Sequence, residues 1–68
     1  MVDICVTVGR RVRYLRSERG VSQVVLADRA GITRENLSRI ENGRAEPGLR
    51  TLLRIAQALD VHLRDLLE

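Results

Sequence analysis

Gly31 stands four positions after Ala27 near the middle of the chain, and apolar residues bracket it: Leu26 before, Ile32 beside it, Leu37 and Ile40 after. Two helices joined by a turn of three or four residues must cross steeply, and that geometry asks for particular residue sizes at particular places. A small residue is needed where the helices approach, and Ala27 supplies it. A residue that tolerates positive φ is needed in the turn, and Gly31, with no Cβ, supplies that. Leu26, Ile32, Leu37 and Ile40 plug the junction, and the residues between them are polar. The combination predicts two short helices, Gln23 to Ala30 and Arg34 to Glu41, with the hydroxyls of Ser22 and Thr33 as N-caps.

The flanking segments fit around this centre. Val8, Val12 and Leu15 recur at the spacing of one helix face, which predicts a first helix starting near Cys5 to Thr7 and stopping at Gly20. Gly9 inside that helix blurs its start. Asn42-Gly43 is a stop and turn signal, and the segment Arg44 to Gly48, with the only Pro, is the longest loop. Leu52, Ile55, Ala56 and Leu59 mark a fourth helix from about Leu49 to Leu59. Asp60-Val61 breaks it, and Leu63, Leu66 and Leu67 mark a short fifth. No strand pattern, repeat or low-complexity run is present. The expected fold is all-α: a compact five-helix bundle forming a single domain over 1–68, with its helix-turn-helix at about 22–42.

A chain of 68 residues buries only about 60% of its unfolded surface, so a second copy or a ligand is expected to support it. Tyr14 is the only aromatic residue, and the core must be built from Leu, Ile, Val and Ala. Twelve basic residues, all Arg, face nine acidic ones for a net charge of +3. Basic surface favours encounter with phosphate backbones, and Arg can grip phosphate or guanine in a bidentate manner. The codon bias of a GC-rich genome is the favoured account of the absence of Lys, so charge alone decides little.

Other functional classes find little support. Cys5 is the only Cys, so no internal disulfide marks an oxidising compartment. No stretch approaches the roughly 20 apolar residues of a membrane span, and the N-terminal apolar run precedes the charges, the reverse of a signal peptide. A cytoplasmic location without a membrane partner is expected. The only His, His62, lies far along the chain from Cys5, and His62 and Asp65 have no nucleophile beside them. Neither a Gly-rich phosphate loop nor a cluster of metal ligands is present. No enzyme activity, cofactor, metal or small-molecule ligand is expected.

The run SQVVLADRAGITRENLSRIENG, followed by P-x-x-x-TLLRIAQAL-x-V-x-L-x-x-LL, resembles the phage repressor and Cro-like (XRE-type) helix-turn-helix family of DNA-binding regulators, over roughly Val8 to Leu67. The resemblance implies a lambda-repressor-like domain whose third helix, about 34–41, enters the major groove of double-stranded DNA, usually as a homodimer on a two-fold symmetric operator. It implies a sequence-specific transcriptional regulator, with no room in 68 residues for a sensor domain. Stand-alone members include Cro-like proteins, controllers of restriction-modification genes and antitoxins, and the sequence does not separate them. A protein-interaction module that kept the fold and lost DNA binding is the other reading, and Arg34 and Arg39 on the third helix argue against it.

A helical wheel of the third helix puts Leu37 and Ile40 on one side, with Glu35, Ser38, Arg39 and Asn42 opposite and Arg34 on the flank. The resemblance assigns base contacts to Arg34, Glu35, Ser38 and Arg39. Arg pairs with guanine O6 and N7 and Glu accepts from cytosine N4, so G·C pairs are expected at two or more half-site positions. The plainer alternative is that Glu35 and Arg39, at i and i+4, pair with each other on a solvated face.

Gln23 begins the second helix, where free N–H groups attract an anion. The resemblance makes it a phosphate contact, against the alternative of a plain helix-initiating residue. Asn42 and Arg44 are implied phosphate contacts as well, and Thr33 is a possible one besides its capping role. Arg16 and Glu41 are implied to form a largely buried ion pair that turns Arg16 toward phosphate. Val61, His62, Leu63 and Asp65 are the implied dimer surface, since Leu63, Leu66 and Leu67 are too many to bury in one small monomer. Three departures from the family stand out. Val24 and Val25 replace polar residues, as inert surface or as a partner patch, Asp60 replaces a Gly, and His62 replaces a small N-cap.

Overall fold

The computed structural model describes residues 3–68. Four α-helices follow one another: α1 (Ile4–Glu18), α2 (Gln23–Ala30), α3 (Arg34–Glu41) and α4 (Leu49–Leu59). A single 3-10 turn, Leu63–Leu66, ends the chain. The fifth helix expected from the leucine spacing is therefore one tight turn and not an α-helix. Asp65 fixes it by accepting the backbone N–H of His62 at 2.9 Å, which gives His62 the expected N-cap position without a small side chain. α1 begins just before the expected point, because the Asp3 carboxylate accepts the N–H of Cys5 at 2.9 Å and caps the helix there.

Each helix stops in the same way. A residue in the left-handed region follows it, and the next N–H reaches back five residues: Val21 to Arg16 O, Ile32 to Ala27 O, Arg44 to Arg39 O and Val61 to Ala56 O, at 2.8–3.1 Å. This pattern satisfies carbonyls that a helix end leaves unpaired. Gly31, at φ 69°, ψ 31°, fills the position between α2 and α3 as the turn requires. At the end of α4 the position falls to Asp60, φ 57°, ψ 46°. Among the described residues it is the only non-glycine with positive φ, tolerated because Asp visits this region more readily than most.

The core is aliphatic throughout. Val8, Val12 and Leu15 of α1 meet Leu26, Ala27 and Ala30 of α2, Leu37 and Ile40 of α3, Leu52, Ile55, Ala56 and Leu59 of α4, and Leu66. Three buried alanines lie on α2 and α4, which pack on each other. Side chains this small let two helices lie close together without aromatic filling. Of the C-terminal leucines only Leu66 is buried. Leu63 is partly covered by the core, and Leu67 is 46% exposed.

Gly9 sets the crossing of α1 and α3. A Cβ on this residue would overlap the carbonyl oxygen of Ile40 and come within 2.8 Å of that of Glu41. The residue that blurred the start of α1 in the sequence is thus the place where the last turn of α3 rests on α1.

Candidate nucleic-acid interface

α3 is presented by three local devices. The Thr33 hydroxyl accepts the N–H of Asn36 at 3.0 Å and opens the helix. The Gly31 turn sets its angle to α2, and Leu37 and Ile40 hold it in the core. The opposite face is left to solvent: Arg34, Glu35 and Arg39 are exposed and Ser38 is half-buried. Glu35 and Arg39 form no ion pair with each other; among the described residues the ion pair present is Arg16–Glu41. The plain solvated pair considered for them is not formed, and neither side chain bonds to another described residue.

Beneath that face lies a buried carboxylate. Glu41 is 5% exposed and receives three hydrogen bonds. Arg16 of α1 gives two, Nε to Oε2 at 2.7 Å and Nη2 to Oε1 at 3.0 Å, and Gln23 of α2 gives the third, Nε2 to Oε1 at 3.0 Å. Arg16 also donates through Nη1 to the carbonyl of Val21 at 3.0 Å, tying down the turn between α1 and α2. The hydrogen bonds to Glu41 hold the guanidinium pKa above its ordinary value. One carboxylate therefore joins three helices, and no buried side-chain polar atom among the described residues lacks a partner. Such an arrangement stabilises charge in a low-dielectric setting because every polar atom is satisfied.

The structure brings only some of the phosphate candidates together at this network. Arg16 and Gln23 are half-buried members of it, while Thr33, Asn42 and Arg44 are exposed at the two ends of α3. Gln23 commits one amide hydrogen to Glu41 and keeps its second, with the amide oxygen, for another partner. Sequence reasoning missed this bond, since no spacing rule connects positions 23 and 41. It also missed the bond from Arg11 Nε to the Asp65 carbonyl at 2.8 Å, which ties α1 to the C-terminal turn.

Of the residues considered for a dimer surface, His62 is exposed while Val61, Leu63 and Asp65 are half-buried. Val61 and Leu63 pack partly on the core, and the Asp65 carboxylate is taken by the His62 backbone. Val24 and Val25 lie on the outer side of α2, 59% and 40% exposed. Among the described residues, no His, Cys, Asp and Glu side chains gather in a group that could hold a metal ion. None of the helices is long and apolar enough to cross a membrane.

Residues 12–66 match the family model described as Helix-turn-helix, HTH_3. The immunity repressor protein of Bacillus phage phi105 is 42% identical over 57 residues, which are 84% of this chain and 40% of the repressor. The chain thus spans less than half the length of that relative. In three dimensions it is similar to the restriction-modification controller protein C.AhdI from Aeromonas hydrophila, with a TM-score of 0.89 and 37% identity over 91% of this chain and 94% of that one. It is also similar to SinR, the master regulator for biofilm formation, solved in complex with DNA. There the TM-score is 0.83 and the identity 35%, over 90% of this chain and 98% of the SinR chain in that structure.

Proposed function

Because the chain belongs to the HTH_3 helix-turn-helix family, we propose that it is a transcriptional regulator that binds double-stranded DNA with sequence preference, inserting α3 into the major groove. The observation that carries this reading is the outward face of α3. Arg34, Glu35 and Arg39 are exposed and form no ion pair among the described residues, on a helix whose other face is locked into the core. A rigid helix with free bidentate donors and an acceptor is what base reading requires. In this reading Arg34, Glu35, Ser38 and Arg39 meet base edges, and Gln23, Thr33, Asn42, Arg44 and Arg16 hold the sugar-phosphate backbone. The similarity to a regulator solved with DNA supports the same arrangement.

The regulator acts as a homodimer in the cytoplasm, on an operator of two inverted half-sites. Val61, His62, Leu63 and Asp65 lie toward the partner, where Leu67 adds exposed apolar surface. Selection of bound duplexes from a randomised pool tests the proposal. An inverted repeat with half-site centres about one helical turn apart, and G·C pairs within each half-site, is the expected result. Recovery of no motif would overturn it.

A further inference from the structure

Four arginines lie close together along α1, at positions 10, 11, 13 and 16, and the structure treats them differently. Arg11 is bonded to the Asp65 carbonyl and lies 5.5 Å from the centre of the Tyr14 ring. Arg16 is held by Glu41. Arg10 lines a shallow hollow with Thr7, Arg11, Tyr14 and Glu68, on the side of α1 away from α3. Arg13 is exposed and makes no hydrogen bond or ion pair with any described residue.

The position of Arg13 follows from two close approaches of the α3 end to α1. The last turn of α3 rests on α1 at Gly9, and Gly43 lies against Val6, with Val6 Cγ2 2.9 Å from where a Gly43 Cβ would stand. At 100° per residue, Arg13 lies about 40° from Gly9 and about 20° from Val6 around the α1 axis, and about 60° from Arg16. It therefore shares the face of α1 that borders the end of α3, one turn before Arg16. Side chains three apart on a helix are neighbours, about 5–6 Å between Cβ atoms. That spacing suits two guanidinium groups to successive phosphates of one strand.

We propose that Arg13 is a further DNA-backbone contact, holding a phosphate adjacent to the one that Arg16 reaches. The proposal rests on the DNA-binding reading above. It adds a residue that the helix-turn-helix pattern does not mark, because Arg13 lies on α1, outside the segment 22–42. Arg16 is fixed by its carboxylate, whereas Arg13 spends none of its donors on any described residue, so its charge is available to the phosphate.

The test is the salt dependence of binding to one duplex, measured for wild type, Arg13→Gln, Arg13→Lys and Arg29→Gln. Arg29 lies in the last turn of α2, at the end of that helix away from Gln23. Each neutralised phosphate contributes about 0.9 to the slope of log affinity against log salt. Arg13→Gln is expected to lower the slope by about that amount on specific and random duplexes alike, so that a fourfold rise in salt weakens its binding about threefold less than that of wild type. Arg13→Lys is expected to restore the slope, and Arg29→Gln to leave it unchanged. An Arg13→Gln slope equal to that of wild type would overturn the proposal. So would an equal drop in Arg29→Gln, which would mark an effect of net charge. Failure of wild type itself to bind duplex would sink the parent reading instead.

Discussion

Arg16 and Glu41, 25 positions apart, meet side by side through two hydrogen bonds of 2.7 and 3.0 Å, and Gln23 completes the set at 3.0 Å. The Glu41 side chain is 2% exposed and the Arg16 side chain 16%. Removing either partner strands the other charge in a dry site, at a cost of about 3–5 kcal/mol. A domain of this size has only about 3–10 kcal/mol in total. Arg16→Ala and Glu41→Ala should therefore unfold much of the protein at room temperature, as read by urea titration of the helical circular dichroism signal. The double replacement Arg16→Met, Glu41→Leu should be markedly more stable than either. Single variants within about 1 kcal/mol of wild type would show that the pair carries little.

Gly9→Ala gives a second test of how α1 and α3 cross. Helix propensity alone favours Ala by about 1 kcal/mol. The added Cβ meets backbone carbonyls of α3, which cannot rotate away as a side chain would. Overpacking of this kind should win by about 2 kcal/mol or more, a fall in Tm of roughly 10 °C in a small domain. A rise in Tm would mean that α3 does not rest on Gly9.

Base readers and backbone contacts should separate in DNA binding. Arg39→Ala should cost about 1–3 kcal/mol on the selected duplex and relax the preference at one position. Arg44→Ala should weaken specific and random duplexes about equally and flatten the salt slope. If both variants lost affinity identically on the two kinds of duplex, the division of roles between α3 and the loop after it would be wrong.

Tyr14 offers a titration free of overlap, because it is the only aromatic residue. Its hydroxyl donates to Glu18 at 2.9 Å, and that bond, with the carboxylate charge, raises its pKa above the usual tyrosine value of about 10. A raised pKa means that the bond is intact below the unfolded value and is lost as pH rises through the folded one. The phenolate absorbance should therefore rise late in wild type and earlier in Glu18→Gln. Coincident curves would show that the bond is absent in solution.

Periodicity carried most of the fold into the sequence. Every buried apolar residue from Val8 to Leu66 lies at a position where helical spacing predicts it, and Ser22, Thr33 and Gly31 set the central turn as their chemistry dictates. The C-terminal turn was less legible. Whether four residues form a 3-10 or an α-helical turn depends on a carboxylate reaching back to cap it and on what the core can cover, and Leu67 lies beyond that cover. Asp60 could be recognised as a turn residue from its tolerance of the left-handed region.

Long-range polar contacts were legible only in part. The Arg16–Glu41 pair is implied by resemblance alone, and the third donor, Gln23, leaves no mark in the spacing. The bond from Arg11 to a backbone carbonyl is invisible in sequence, since every residue carries that acceptor. Gly9 shows only as a poor helix former until the α3 carbonyls are seen above it.

The central claim, that α3 reads DNA sequence, is tested most directly by the ratio of affinities of the wild-type protein for its selected duplex and for a scrambled duplex of equal length and composition, at one physiological salt concentration. Specific regulators bind their own sites typically 10³-fold or more tightly than other DNA, and a ratio of at least about that size is predicted. A ratio near one, with binding that vanishes as salt rises, would contradict the claim and leave a basic surface with no base reading.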